Sequence, residues 1–125
     1  MKLLLDTHIA LWLVRDAPEL SAEARRLILA AEEVFVSSVS MWEATIKVAI
    51  GKLPLDPARL ESQLLAAGVQ PLALTWSHAR ALHALPLLHR DPFDRMLVVQ
   101  AMTEPLHLLT HDAALAPYSE LVILV

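Results

Sequence analysis

The sequence predicts an α/β fold of three layers, in which helices flank a central, mostly parallel sheet of five strands. Three observations lead there. At 125 residues the chain is long enough to bury a real core and too short for two, so residues 1–125 are expected to form one domain. The runs Leu3-Leu4-Leu5 and Val34-Phe35-Val36 are continuously apolar rather than alternating, and Leu106 to Leu109 is interrupted only by His107, as in strands covered on both faces. Between such runs lie segments of helical spacing, and strands alternating with helices are joined by crossovers that make the sheet parallel.

In order, Lys2 to Leu5 forms the first strand and stops at Asp6. Thr7 to Arg15 then carries Ile9, Leu11, Trp12 and Leu13 at helical spacing. Ser21 caps a second helix through Glu33, and Val34 to Val36 is a strand ending at Ser37-Ser38. A third helix spans Val39 to Ile50 and ends at Gly51. Pro57 opens a fourth, which Gly68 stops. Val69 to Leu74 is a strand whose Pro71 has no amide hydrogen to donate, which places it at a sheet edge. Trp76 to Leu85 is helical and breaks at Pro86. Pro92 to Glu104 is helical, Leu106 to Leu109 a strand, Ala113 to Ala116 a short helix stopped by Pro117, and Leu121 to Val125 the last strand.

Composition narrows the chemistry. With no cysteine there is no disulfide, thiolate nucleophile or zinc-thiolate site, so any metal must be held by oxygen or imidazole. Only two glycines occur, which removes both the Gly-rich phosphate loop and the dinucleotide fingerprint. A formal net charge of -4 argues against gripping nucleic acid by overall charge, although local basic patches remain open. Hydrophobic residues make up 56% and mean hydropathy is +0.50. That is more apolar surface than one small core hides, so a self-interface or a partner groove is expected. Charges at Asp6, Arg15, Glu43 and Asp94 interrupt every run that might span a membrane, and no signal-like stretch opens the chain; the expected location is the cytoplasm.

The acids fall in a pattern. Asp6 follows the first strand directly, Asp112 follows the strand Leu106 to Leu109 through Thr110-His111, and Glu43 and Asp94 lie in the first turns of helices. In an open parallel sheet the carboxyl ends of strands and the starts of the following helices share one edge, where ligands bind. Each acid alone also reads as a helix cap, Ser40 and Glu43 have capping-box spacing, and Asp91 before Pro92 is a good cap. Caps do not explain why four acids from distant segments share one rim. Two carboxylates about 4 Å apart repel by roughly 4 kcal/mol at an effective dielectric near 20, so a cation must compensate. Oxygen ligands favour Mg²⁺ or Mn²⁺, and such ions serve phosphodiester hydrolysis.

Four segments carry a resemblance: Leu3-Leu4-Leu5-Asp6-Thr7-His8; Ser38-Val39-Ser40-Met41-Trp42-Glu43 with Lys47 and Gly51-Lys52-Leu53; His89-Arg90-Asp91-Pro92-Phe93-Asp94-Arg95; and Leu109-Thr110-His111-Asp112. In this order and spacing they resemble the PIN-domain family, and within it the VapC-type ribonuclease toxins of toxin-antitoxin pairs. The resemblance implies an endoribonuclease dependent on Mg²⁺ or Mn²⁺, with Asp6, Glu43, Asp94 and Asp112 as its acidic site. Asp6 and Asp94 would be the principal ligands, and Asp112 and Glu43 would complete the site directly or through water. Thr110, and less surely Thr7 or Ser38, would orient ligands through their hydroxyls. Asp94 is assigned to the metal and Asp91 mainly to the cap, an auxiliary ligand role being its lesser reading. The resemblance also implies an RNA substrate, a homodimer and a small antitoxin lying in an apolar groove. Leu11, Trp12, Leu13 and Val14 are candidate groove residues, although most of them read first as core.

Arg90, Arg95 and Lys47 are candidate phosphate contacts, or else partners of Asp91, Asp94 or Glu43 that relieve crowding. His8, His89 and His111 adjoin the acids and are open to phosphate binding, proton relay or metal ligation, with a neutral surface or hydrogen-bonded role preferred for His89. Trp42 reads first as core and only second as a base-stacking platform; Trp76 carries no evident chemistry. Three rivals weigh less. A receiver-type phosphoacceptor domain needs paired acids at the first strand and a late lysine, which this chain lacks. An all-helical fold built on His111-Asp112 conflicts with the strand at Leu106 to Leu109. A non-catalytic PIN-like binding module would be favoured by loss of an acid, and all four are present.

Overall fold

A computed structural model describes residues 1–125. The strands are β1 (Lys2–Leu5), β2 (Glu33–Ser37), β3 (Gln70–Leu72), β4 (His107–Thr110) and β5 (Val122–Leu124). The helices are α1 (Thr7–Arg15), α2 (Ala22–Ala30), α3 (Ser38–Ala49), α4 (Pro57–Ala66), α5 (Trp76–Ala81) and α6 (Pro92–Thr103), with 3-10 turns at Leu82–Ala84 and Ala113–Tyr118. The five strands form one sheet in the order β3-β2-β1-β4-β5, and every neighbouring pair is parallel.

Successive strand residues point to opposite faces, and here both faces are apolar. Leu3, Leu5 and Leu109 join Ile9, Leu11, Leu60 and Leu64 in one core, beneath α1, α2, α3 and α4. Leu4 and Leu108 join Met96 to Val99 and Leu115 in the other, beneath α6. Leu3, Leu4, Leu5, Leu108 and Leu109 are wholly buried. Truncating one of them to alanine costs about 2–5 kcal/mol through lost transfer energy and the cavity left behind. The uninterrupted apolar strands of the sequence thus have a direct cause in a sheet sandwiched between two helical layers.

The structure moves several boundaries. The second helix ends at Ala30 rather than Glu33, because Ala31 turns extended and Glu33 pairs with Lys2 as the first residue of β2. Strand pairing here overrides the helix preference of a glutamate pair. The helix expected from Val39 begins at Ser38, and its cap is Ser37, whose Oγ accepts the Val39 amide hydrogen at 3.0 Å. The Ser40–Glu43 capping box does not form; Ser40 lies inside the helix and accepts a hydrogen bond from the Thr7 hydroxyl at 2.9 Å. β3 is shorter than expected and sits at the sheet edge, where Pro71 costs no ladder bond. The helix from Trp76 gives way to a 3-10 turn after Ala81, and the last short helix is a 3-10 turn that runs through Pro117.

No helix is long and apolar enough to cross a membrane. Large apolar side chains remain exposed nonetheless, among them Leu29, Trp42, Ile50, Trp76 and Leu87.

Candidate metal centre

The sheet order reverses direction between β1 and β4: from β1 the chain moves outward through β2 to β3, then returns to β4 on the other side. At such a switch point the connections leave in opposite directions and open a crevice at the carboxyl ends of the strands. Asp6 leaves the end of β1, and Thr110 and Asp112 leave the end of β4. α3 starts at the end of β2 and brings Glu43. α6 runs back to the start of β4, so its first turn, with Asp94, lies at the same edge. Asp6, His8, Trp12, Asp94, His111 and Asp112 line one cleft of about 320 Å³ there.

Asp6 and Asp112 each cap the element that follows and still line the cleft. Asp6 caps α1: its Oδ1 accepts the Ile9 amide hydrogen at 2.8 Å, and its Oδ2 accepts the Thr110 hydroxyl. Asp112 caps the following 3-10 turn through Oδ1, which accepts from the Ala114 amide at 2.9 Å, leaving Oδ2 for His89. Asp91 caps α6, its Oδ1 accepting from the amides of Phe93 and Asp94 at 2.8 and 3.2 Å. Asp94 has no such duty, and its carboxylate accepts no hydrogen bond. Capping and ligation are therefore compatible, because a carboxylate has two oxygens.

Electrostatics mark the same groups. Burial pushes the Asp6 carboxyl above its ordinary range; the hydrogen bonds from Thr110 and Ile9 and the nearby His8 pull it back, and Glu43 adds to the rise. Burial first, then repulsion from Asp91, Glu43 and Asp6, pushes Asp94 up to about 7, against the pull of His89. Glu43 does not line the cleft but lies against it, almost wholly buried. Its Oε2 meets Lys47 Nζ at 3.3 Å, and its Oε1 has no partner. A buried carboxylate oxygen without a donor is costly. Crowded carboxylates and an orphaned oxygen are what a hard divalent ion satisfies, so the residues present fit Mg²⁺ or Mn²⁺.

His89, whose preferred sequence reading was a neutral surface or hydrogen-bonded residue, lies half-buried between two of the acids. Its Nδ1 accepts the Asp91 amide hydrogen at 3.0 Å, so in the neutral ring Nε2 carries the proton. That Nε2 donates to Asp112 Oδ2 at 3.1 Å and stands 3.8 Å from Asp94 Oδ2. Ligand atoms of His89, Asp94 and Asp112 all fall within 4.8 Å of one another. The motif His89-Arg90-Asp91 held the signal, since an imidazole two residues before a capping aspartate returns to that residue's amide.

The remaining sequence candidates separate. Thr110 is buried, donates to Asp6 and accepts from the Asp112 amide, so one hydroxyl links both strand ends. Thr7 is buried and spends its hydrogen bond on Ser40. Ser38 accepts from the Leu74 amide, on the β3 side and away from the acids. Lys47 pairs with Glu43, the crowding-relief alternative. Arg95 is half-buried and donates to the Leu85 carbonyl at 3.2 Å, which turns it from the rim. Arg90 is exposed. Trp42 is 59% exposed rather than core and meets Phe93 edge-on at 5.1 Å, because its helix face looks outward beside the start of α6.

Comparison with known proteins gives the family and the fold. A family model described as the PIN domain matches residues 3–121. Ribonuclease VapC22 of Mycobacterium tuberculosis is 32% identical over 114 residues, covering 90% of this chain and 88% of that protein. Among solved structures, VapBC2 from Rickettsia felis bound to a DNA fragment from their promoter superposes with a TM-score of 0.72 at 16% identity, covering 100% of this chain and 98% of that one. A toxin-antitoxin complex from Klebsiella pneumoniae superposes with a TM-score of 0.67 at 17% identity, over 96% and 94% of the two chains. FitAcB from Neisseria gonorrhoeae gives 0.67 at 15% identity, over 98% and 96%.

Proposed function

This chain belongs to the PIN domain family, and from that premise we propose that it is a metal-dependent endoribonuclease, the toxin of a toxin-antitoxin pair. The observation that carries the reading is the cleft at the β1/β4 switch point, lined by Asp6, Asp94 and Asp112 with Glu43 behind them. The relative named a ribonuclease supports the activity.

In this reading Asp6 and Asp94 hold Mg²⁺ or Mn²⁺, completed by Asp112 and Glu43. Bound there, the ion supplies positive charge to a phosphoryl oxygen and lowers the pKa of water. The chain's own residues set the stage. Thr110 fixes Asp6 from one side, and the Ile9 amide fixes it from the other. His89 aims Asp112 Oδ2. Asp94, with a pKa near 7, would hold the ion with its carboxylate ionised and shares a proton at neutral pH otherwise. Lys47 neutralises one oxygen of Glu43. Arg90, exposed beside the capping Asp91, would meet the backbone of an incoming strand.

The solved toxin-antitoxin complexes of the same fold support an antitoxin partner, and the exposed apolar side chains offer surface for that partner or for a second copy of the chain. The test is cleavage of single-stranded RNA by the purified chain in Mg²⁺ or Mn²⁺. Products that vanish in excess chelator support the reading; undiminished cleavage in chelator rejects it. Expressing the chain alone should arrest growth, and a small partner expressed with it should relieve the arrest.

A further inference from the structure

The cleft holds more than acids. Of its six lining residues three are carboxylates and the other three, His8, Trp12 and His111, carry aromatic rings. His8 and Trp12 are four residues apart on α1, so they share the helix face that leads away from the capping Asp6. His111 comes from the turn after β4, beside Asp112. The ring centroids of His8 and Trp12 lie 6.1 Å apart at 47°, and those of Trp12 and His111 lie 5.5 Å apart at 70°. Neither pair is stacked face to face: the Trp12–His111 contact is edge-on and the His8–Trp12 contact tilted, and all three residues still contribute to the lining of the cleft. His111 is held in place by a 2.7 Å hydrogen bond between its Nδ1 and the Val125 carbonyl. Trp12 is half-buried, its far side packed on the core around Ile9 and Leu11.

We propose that Trp12, with His8 and His111 as its flanks, forms a nucleobase-binding wall that stacks one unpaired base of the substrate while the acids act on the adjoining phosphate. The inference rests on the ribonuclease reading above and adds the subsite to it. The chemistry matches the position. Carboxylates and a cation have no affinity for the flat apolar face of a base, whereas an anchored indole does, and stacking tolerates any base because every base has a π-face. An aromatic wall inside a cleft of about 320 Å³ suits a single splayed nucleotide rather than a duplex, whose bases are already stacked on each other. It also places base recognition within the cleft itself, so no overall positive charge is needed to hold the strand, in keeping with a chain of net charge -4.

The chain has three tryptophans, so Trp42→Phe with Trp76→Phe leaves Trp12 as the sole indole reporter without altering the wall. Adding Asp94→Asn removes turnover. A short oligouridylate should quench the Trp12 emission in Mg²⁺, and an abasic strand of equal length should leave it unchanged. In the three-tryptophan protein carrying Asp94→Asn, Trp12→Leu should weaken oligouridylate binding by about 5- to 150-fold, while Trp12→Phe should retain most of it. Equal quenching by both strands, or equal affinity in the leucine variant judged folded by its circular dichroism, overturns the wall and leaves the nuclease reading intact. If the wild-type chain neither binds nor cuts RNA, the nuclease reading fails and the wall falls with it. The fluorescence arm keeps Trp12 in place, so loss of folding on its substitution does not decide the outcome.

Discussion

Thr110 donates its hydroxyl to Asp6 Oδ2 across 104 positions of sequence, joining the ends of the two strands between which the sheet reverses. The Thr110 hydroxyl oxygen in turn accepts the Asp112 amide hydrogen, so one small side chain sets the spacing of two acids. Because this hydrogen bond pulls the Asp6 pKa down, Thr110→Val, which is nearly isosteric, should push Asp6 further up and weaken Mn²⁺ binding by about 10- to 100-fold. Calorimetric titration of the two proteins at neutral pH decides it, and equal affinity would remove Thr110 from the site.

The two aspartates of His89-Arg90-Asp91-Pro92-Phe93-Asp94-Arg95 divide their labour. Asp91→Asn keeps an oxygen for the amides of Phe93 and Asp94 and removes one charge that repels Asp94. It should leave RNA cleavage within a few-fold of wild type, whereas Asp94→Asn should abolish it. Equal losses in the two variants would place Asp91 on the metal after all.

Asp94 also gives the fold a pH signature. Its pKa is about 7 in the folded chain against 3.8 for the free side chain, so the folded state holds that proton more tightly. The contribution is therefore full below pH 3.8 and is lost as pH rises through 7, an effect on the order of 4 kcal/mol at most. Urea unfolding of metal-free protein should show wild type losing stability across this window and Asp94→Asn losing less, so that the variant becomes the more stable of the two at the alkaline end. Mn²⁺ should reverse that order, since a ligand bound only by the folded state stabilises it by mass action. Parallel pH profiles would show that Asp94 titrates normally.

Removing the His89 imidazole tests its orienting role. His89→Ala deletes the donor to Asp112 and should weaken Mn²⁺ binding by about 10-fold, while electron spin resonance of bound Mn²⁺ should show no nitrogen coupling in either protein, because Nε2 carries a proton. Nitrogen coupling present in wild type and lost in the variant would make His89 a ligand.

Much of this was legible because the relevant signals are local. Continuous apolar runs announced a sheet covered on both faces, and acids at strand ends announced a shared edge, which follows from parallel topology alone. What escaped depended on contacts between distant segments. The cap of α3 fell on Ser37 rather than Ser40 because Ser40 is drawn to Thr7 on a neighbouring helix. Glu33 joined a strand because Lys2 lay opposite. Arg95 turned to the Leu85 carbonyl, and Trp42 was left outside with Phe93, through packing that no periodicity encodes. The place of His89 between Asp94 and Asp112 required knowing that the α6 start and the β4 end meet.

On the proposed reading, carboxylates from the ends of β1 and β4 and from α3 and α6 act as one cation-holding centre. Anomalous diffraction from crystals grown with Mn²⁺ tests it most directly. A peak is expected within coordination distance of Asp6 and Asp94, in the cleft shared with Asp112. A peak that none of these carboxylates reaches, or an empty cleft at saturating Mn²⁺, would contradict it.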